Sequence, residues 1–512
     1  MHARLALLTL ALALPGCSCE SAAGSPDGSP IGRDTGPRPD TGPLPDTGPR
    51  PDAGTSPLGG WFRHGENAGY YGGGIDDSES AMLAAAAGCD SQRVSLPESF
   101  LAQWGADIEQ SDFDTYASVG MTHLVVFLTS PTRAHSSAPA SAADWELAHY
   151  APTNLYEPIF LADGSVNPDN YWAAYVATVA EHYGDQIDIY EVWNEPDQVG
   201  PNWQATQSWG TSPPAPGDLI WWNDSIFAYV RMLRVTHEVV QRLDPTAAVT
   251  PGGIGYASYL SALLRYSDEP TAGAIDAEHP ATGYAYMDVL SYHYYPVFAP
   301  GNSDVGADGL IEARDGYDAV FTAAGLAPLP YVVTESGAPR RMVGTTQGSP
   351  EYARNYLLKI MTRGHAEGLL GIDWFALGEP ASPSTSFDAM GLYESYASAT
   401  MVSECVIDDT GVAYATLGHH LHGARHDPSA AIPSGAEGAG FVAEDGAEVL
   451  VLWARNETDE SAHASVSLST DASWVERAWD WSRTHAETTR TPTGGAIALE
   501  LTSAPIFLTR AP

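Results

Sequence analysis

The chain has 512 residues, of which 44% are hydrophobic and 10% aromatic, ample for a large core and incompatible with wholesale disorder. Its 64 acidic residues against 23 basic ones give a formal charge of −41, and its only lysine is Lys359. So negative a surface excludes nucleic acid and acidic bilayer surfaces as partners, because both are bound through Lys and Arg. The 14 Trp and 25 Tyr favour neutral polar ligands that stack on rings.

Residues 1–17 begin Met-His-Ala-Arg, continue through the apolar run Leu5 to Leu14 and end Pro15-Gly16-Cys17. A basic start, a short apolar core and small residues before a cut site make an export signal. A buried N-terminal helix is the alternative. Leu14-Pro15-Gly16-Cys17 resembles a bacterial lipobox, which implies that Cys17 is lipidated. Ser18 after it implies no retention at an inner membrane, so the expectation is an exported, outer-membrane-anchored lipoprotein. Residues 18–58 form a Pro/Gly/Asp-rich tether in which Asp34, Asp40, Asp46 and Asp52 recur every six residues.

From residue 59 the pattern alternates short apolar runs with helical stretches, the mark of parallel strands with crossover helices. In chain order the strand candidates lie near Glu66 to Tyr71, at Arg93–Leu96, Thr122–Phe127, Ile187–Trp193, Ala248–Thr250, Met287–Tyr292, Tyr331–Thr334 and Leu370–Phe375. Helices are expected at Tyr171–Tyr183, with Asn167 as cap and Pro168 in the first turn, and at Ile226–Leu243, stopped by Asp244-Pro245. Eight strands suit an α/β fold of the (β/α)₈ TIM barrel type over residues 59–426. A doubly wound sheet would also alternate, but no Gly-rich phosphate turn follows any strand.

Beyond residue 426 the texture changes. Short runs at Phe441-Val442, Val449–Trp453, Ala464–Leu468, Val475–Trp481 and Ala496–Leu501 are separated by Gly, Asp, Thr and Pro. Residues 427–512 therefore read as a small antiparallel β-sandwich. Its expected role is structural, with carbohydrate binding as the alternative.

Barrel chemistry belongs at the C-terminal ends of strands. The fourth strand exits through Trp193-Asn194-Glu195-Pro196-Asp197 and the seventh through Thr334-Glu335-Ser336-Gly337. One glutamate at such an exit is an ordinary charge entering water; two on strands four and seven form a pattern. Tyr190-Glu191-Val192-Trp193-Asn194-Glu195-Pro196 together with Val333-Thr334-Glu335-Ser336-Gly337 resembles the catalytic signatures of glycoside hydrolase clan A, nearest its β-xylosidase/α-L-iduronidase and cellulase types. The resemblance spans residues 60–425. It implies a retaining glycosidase acting on a β-linked polysaccharide or its oligomers, with Glu195 as general acid/base and Glu335 as nucleophile. The reaction needs one carboxyl protonated and one ionised, about 5–5.5 Å apart for retention. A non-catalytic carbohydrate-binding lipoprotein and a transglycosylase using the same residues are the rival readings.

The same resemblance implies supporting roles. Arg93 would hold the nucleophile ionised, Asn194 would donate to the sugar 2-hydroxyl, and His293 would bind substrate or hold a carboxylate. Tyr295 would hydrogen-bond the nucleophile, while Tyr294 reads equally as a core residue. Trp374 would floor the sugar subsite, often followed by a non-proline cis bond; a core tryptophan is the alternative. Trp203, Trp209, Trp221 and Trp222 could line subsites, the last two equally anchoring the next helix. After the third strand, Thr129-Ser130-Pro131-Thr132 lacks the tryptophan expected of the nearest relatives.

Residues 163–169 look like a calcium loop but lack the bidentate glutamate and read as a turn. With no Cys-x-x-Cys spacing either, no metal site is expected, and the resemblance to clan A implies a chemistry that needs no cofactor. Cys89 and Cys405 are expected to form a disulfide across the seam where the first and eighth helices meet. A monomer is expected.

Overall fold

The computed structural model describes residues 62–68, 74–200, 203–298 and 301–511. The export signal, Cys17 and the tether lie outside these residues. Eight parallel strands make the central sheet: β1 (Arg63–Asn67), β2 (Ser91–Ser95), β3 (His123–Leu128), β4 (Ile187–Val192), β5 (Ala248–Pro251), β6 (Leu290–Tyr294), β7 (Tyr331–Ser336) and β8 (Gly371–Trp374). The pairing order β5-β4-β3-β2-β1-β8-β7-β6 brings the first strand beside the last. The remaining gap between β5 and β6 is bridged by the Ile254–Tyr292 pair and by Ser291 N–H donating to Thr250 Oγ1 at 2.7 Å. The result is the expected (β/α)₈ barrel.

Side chains alternate along each strand, so every second one points inward. Val125, Ile189, Ala248, Val289 and Val332 form an apolar plug inside the barrel. Two residues further along the strands the inward positions turn polar: Glu191 follows Ile189, Ser291 follows Val289 and Thr334 follows Val332. The outward positions pack on the helices α1 (Asp77–Ala86), α2 (Glu98–Trp104), α3 (Gln110–Ser118), α4 (Tyr171–Tyr183), α5 (Ile226–Leu243), α6 (Ala257–Arg265), α7 (Ser303–Ala324), α8 (Pro350–Ala366) and α9 (Asp409–Leu421). No helix among the described residues is long and apolar enough to cross a membrane.

Three local expectations are corrected. The first strand begins at Arg63 and ends at Asn67, before the glycine-rich stretch in which glycine has little to pack. The cap of α4 is Asn170, whose side chain accepts from the Ala173 N–H at 3.0 Å. Asn167 instead closes the preceding turn, accepting from the Asp169 N–H and donating to the Pro158 carbonyl. The Cys89–Cys405 disulfide is not formed: both thiols are free, Cys89 buried in the core and Cys405 half-buried after a short turn. Both lie close to the Tyr393 phenol, and burial raises the thiol pKa of each.

The ribbon β9 (Tyr393–Glu394) and β10 (Val406–Ile407) leads through α9 into the C-terminal sheets. These comprise β11 (Arg425–His426), β12 (Glu437–Val442), β13 (Glu448–Trp453), β14 (His463–Ser469), β15 (Trp474–Arg477), the one-turn α10 (Trp481–Thr484), β16 (Glu487–Arg490), β17 (Ala496–Thr502) and β18 (Ile506–Arg510). Six strands in the order β11-β12-β13-β18-β15-β16 make one sheet; β14 and β17 make the other. On β13, Leu450 and Leu452 join Val466, Leu468, Leu499 and Leu501 between the sheets, whereas Val449, Val451 and Trp453 join the barrel core. The large sheet is thus buried on both faces, which docks the sandwich on the helix layer.

Candidate active site

The β4 exit is bent out of regular geometry. Of the six non-glycine residues with positive φ among the described residues, Trp193 (φ 73°) and Glu195 (φ 44°) stand two apart. Such conformations cost about 1–3 kcal/mol each and persist where surrounding structure imposes them. Here the Trp193 indole donates to the Trp221 carbonyl at 2.8 Å, and Glu195 N–H donates to the Gly252 carbonyl at 2.5 Å. Asp197, buried, accepts from the Gly255 and Tyr256 N–H groups at 2.8 Å each. Burial, with the neighbouring Glu195, pushes its carboxyl up to about 7. Gly253 follows β5 at φ 59°, and a Cβ there would lie 2.0 Å from His293 Nε2; glycine makes room for that imidazole.

Arg93, fully buried on β2, is the hub of the mouth. Its Nε donates to Glu191 Oε2 at 2.5 Å and its Nη1 to Glu335 Oε1 at 2.6 Å and Asn67 Oδ1 at 3.0 Å. Its Nη2 donates to Asn194 Oδ1 at 2.7 Å, and the guanidinium stacks 4.2 Å from the Phe127 ring centre. Because a guanidinium only donates, Asn194 must turn its oxygen inward, which leaves its NH₂ facing away from Arg93. Buried as it is, Arg93 supports the carboxylates from beneath and does not face a ligand.

Glu335 accepts a second hydrogen bond at Oε2 from the Tyr295 hydroxyl, at 2.6 Å. Burial alone would raise its pKa; the charges of His293 and Arg93 and these hydrogen bonds outweigh it, so the carboxyl is held below its ordinary value. His293 contacts both glutamates, with Nδ1 2.7 Å from Glu195 Oε1 and 3.6 Å from Glu335 Oε2. Burial would lower its pKa, but Glu335 and Glu195 prevail and raise it.

The proton inventory follows from Thr334. Its one hydroxyl proton goes to Glu191 Oε1 at 2.7 Å, so its oxygen accepts from His293 Nε2 at 3.2 Å. His293 Nε2 therefore carries a proton, and the Nδ1–Glu195 contact holds one more, shared between imidazole and carboxyl. Oxygen atoms of Glu195 and Glu335 lie within 4.8 Å of each other and of a His293 nitrogen. The arrangement can present an ionised carboxylate beside a carboxyl that exchanges a proton.

Strands four, seven, two and six thus bring Glu195, Glu335, Arg93, Asn194, His293 and Tyr295 together. Trp374 is not among them. It is fully buried on the outer face of β8, its indole donating to the Met390 carbonyl at 2.8 Å and its ring 6.1 Å from that of Tyr356 on α8. The period of two makes Asp373 an inward residue and Phe375 the next one, and the Phe375 ring meets Tyr295 edge-on at 6.2 Å. The non-proline cis bond joins Phe375 to Ala376, one step past the expected place.

From Tyr295 the aromatic wall continues to Phe387 at 4.8 Å and on to Phe298, which is 80% exposed. Nothing in the composition of those loops marked them. Tyr294 faces α7, where a Cβ at Gly309 would strike its hydroxyl. Trp209 and Trp222 are fully buried, packing on Tyr259 and Tyr229, while Trp203 is exposed and Trp221 half-buried beside His149. Glu191, Asn67, Ser291 and Asp197 were missed as site residues; only the inward period of two on their strands could have found the first three.

No family model matches the chain, and no curated protein matches it in sequence. Solved structures do match in fold. A family 39 glycoside hydrolase from the gut symbiont Bacteroides cellulosilyticus WH2 is 15% identical, covering 89% of this chain and 82% of its own, with a TM-score of 0.57. A GH30 endoxylanase from Clostridium papyrosolvens C71 is 13% identical, covering 88% of this chain and 97% of its own, with a TM-score of 0.52. A monomeric beta-xylosidase from Caulobacter crescentus CB15 is 14% identical, covering 88% and 96%, with a TM-score of 0.51. At these identities the likeness is one of architecture, the barrel and the C-terminal sheets together.

Proposed function

We propose that the chain is a retaining O-glycoside hydrolase of the clan A type that cleaves β-linked polysaccharide or oligosaccharide. One observation carries the reading: oxygens of Glu195 and Glu335 within 4.8 Å of one another, short of the roughly 6.5–9.5 Å that inversion needs to admit a water between the carboxyls. The hydrogen bonds at Glu335 support its role as nucleophile. Its carboxylate attacks the anomeric carbon while Glu195 gives its proton to the departing glycosidic oxygen. The covalent glycosyl ester is then hydrolysed by water, whose proton returns to Glu195. The Asn194 NH₂, turned outward by Arg93, donates to the 2-hydroxyl, a bond that tightens as the oxocarbenium-like state forms. Phe387 and Phe298 offer apolar ring faces to sugars, with the buried Phe375 backing the wall beneath them.

The test is reducing-sugar release from a panel of xylans, glucans, mannans and uronate-bearing chains. The parent should release sugar, with Glu335→Gln at least about 10⁴-fold slower. Equal release by both proteins removes Glu335 from the chemistry. Silence from a folded parent favours a carbohydrate-binding role, and products longer than the substrate favour transglycosylation. The same reading has Cys17 acylated and the barrel held at the outer membrane on its tether. Fatty-acid labelling that persists in Cys17→Ser would refute the anchor.

A further inference from the structure

At the opposite end of the barrel from the mouth, three metal-ligating side chains converge. His64 is the second residue of β1, Asp90 immediately precedes β2, and His422 caps the C-terminus of α9. Asp90 Oδ2 lies 3.6 Å from His64 Nδ1 and 3.8 Å from His422 Nε2, and one ligand atom from each residue falls within 4.8 Å of the others. A tetrahedral ion bound at about 2.0–2.2 Å requires ligand atoms about 3.3–3.6 Å apart, so small side-chain shifts would close the set.

The second observation is His64 itself. It is fully buried, yet among the described residues Nε2 has no partner and Nδ1 has only Asp90, 3.6 Å away and beyond hydrogen-bond reach. Buried polar atoms are rarely left so. The ring is held edge-on by Phe62 at 5.0 Å and lies 5.1 Å from the His422 ring, and Asp90 Oδ1 is fixed by the His64 N–H at 2.7 Å. The remaining Asp90 oxygen is the one nearest both imidazoles.

We propose that His64, Asp90 and His422 bind a divalent transition-metal ion of the zinc class, with water as the fourth ligand. Two imidazoles and a carboxylate are a donor set that such ions favour. His422 Nε2, now 2.8 Å from the Gly88 carbonyl, exchanges that hydrogen bond for the metal. The ion ties β1 to α9, the last helix of the barrel, at the seam where the expected disulfide is absent. Sequence spacing gave no hint of it, because its ligands lie 26 and 332 residues apart.

Calorimetric titration of the EDTA-treated full chain with zinc chloride tests the site, with cobalt(II) absorption as the coordination readout. The expected result is one saturable equivalent and tetrahedral-type visible bands. Affinity should fall at least about tenfold in Asp90→Asn and in His422→Ala. Glu335→Gln should bind as the parent does, which separates this site from the Glu195–His293–Glu335 group. His422 is half-exposed, so its variant keeps the test valid if Asp90→Asn unfolds. Absence of saturable binding, or binding unchanged in both ligand variants, or binding lost only in Glu335→Gln, would overturn the proposal.

Discussion

Arg93 at the barrel mouth and Lys359 at the seam between barrel and sandwich are both wholly buried cations set among carboxylates. Around Lys359 the accounts are closed. Its ammonium donates to Asp304 Oδ2 at 2.7 Å and Ser303 Oγ at 2.8 Å, and Asp304 also accepts from the Trp453 indole and the Asn456 N–H at 2.8 Å each. Glu460 accepts from Ser303, Asn355 and Asn456. Around Arg93, Glu191 and Glu335 are tied to the guanidinium, but the groups on the solvent side have few partners. Glu195 has only His293 as a side-chain partner among the described residues, and the Asn194 NH₂ has none. A buried network that draws its partners from both units locks them together; one left open on its solvent side is equipped to take a ligand.

The sharpest way to break that contrast is to remove each cation. Taking one partner from a buried ion pair costs about 3–5 kcal/mol, because a charge is left uncompensated. Arg93→Met and Lys359→Met should lose comparable stability in urea unfolding. Only Arg93→Met should also lose hydrolysis while folded, with the acid limb of its rate profile moved upward as Glu335 gives up one of the charges that hold it ionised. A fall in kcat for Lys359→Met would mean that the seam is coupled to the mouth.

A gentler difference lies in pH. Asp197, at the mouth, has its carboxyl raised to about 7 by burial, from an unfolded value near 3.8. Binding more protons in the fold, it contributes stability that is complete below about pH 3.8 and is lost as pH rises through about 7. Thermal unfolding between pH 5 and 8 should therefore fall more steeply for the parent than for Asp197→Asn. Parallel slopes would show that Asp197 does not titrate in this range. Burial lowers the Lys359 pKa despite Asp304, so its linkage runs the other way: stability present above its unfolded pKa and lost as pH falls.

The smallest effect separates two neighbours. Phe375→Leu, which keeps most of the buried volume, should raise KM by up to about tenfold through lost stacking, with only a small loss of stability. Trp374→Phe should leave KM alone and lower the melting temperature slightly, by the indole bond to Met390 and some packing. The reverse outcome would return Trp374 to the sugar subsite.

Those two residues also mark how far the sequence could be read. The strand carrying them was legible, and so was the barrel, because apolar runs of period two between capped helices are local signals. Tyr190 to Pro196 and Val333 to Gly337 stood out for the same reason, as chemistry placed next to recognisable strand ends. Which ring turned inward was not legible: a shift of one residue at a strand end reverses the face, and that register is set by neighbouring strands. Asn167, misread as the α4 cap, shows the same limit three residues from the true one.

Residue order alone therefore determined the order of strands and helices, the change of texture near residue 426 and the two glutamates at strand exits, since each depends on neighbours within a few positions. The folded chain decided what depends on distance across it: Arg93 joining Glu191 to Glu335, Thr334 setting the proton on His293, Phe375 turned toward Tyr295 with Trp374 on the outer face, and free thiols where a disulfide was expected. Side chains hundreds of residues apart meet only when the barrel closes, and their hydrogen-bond partners, burial and charge are properties of that closure.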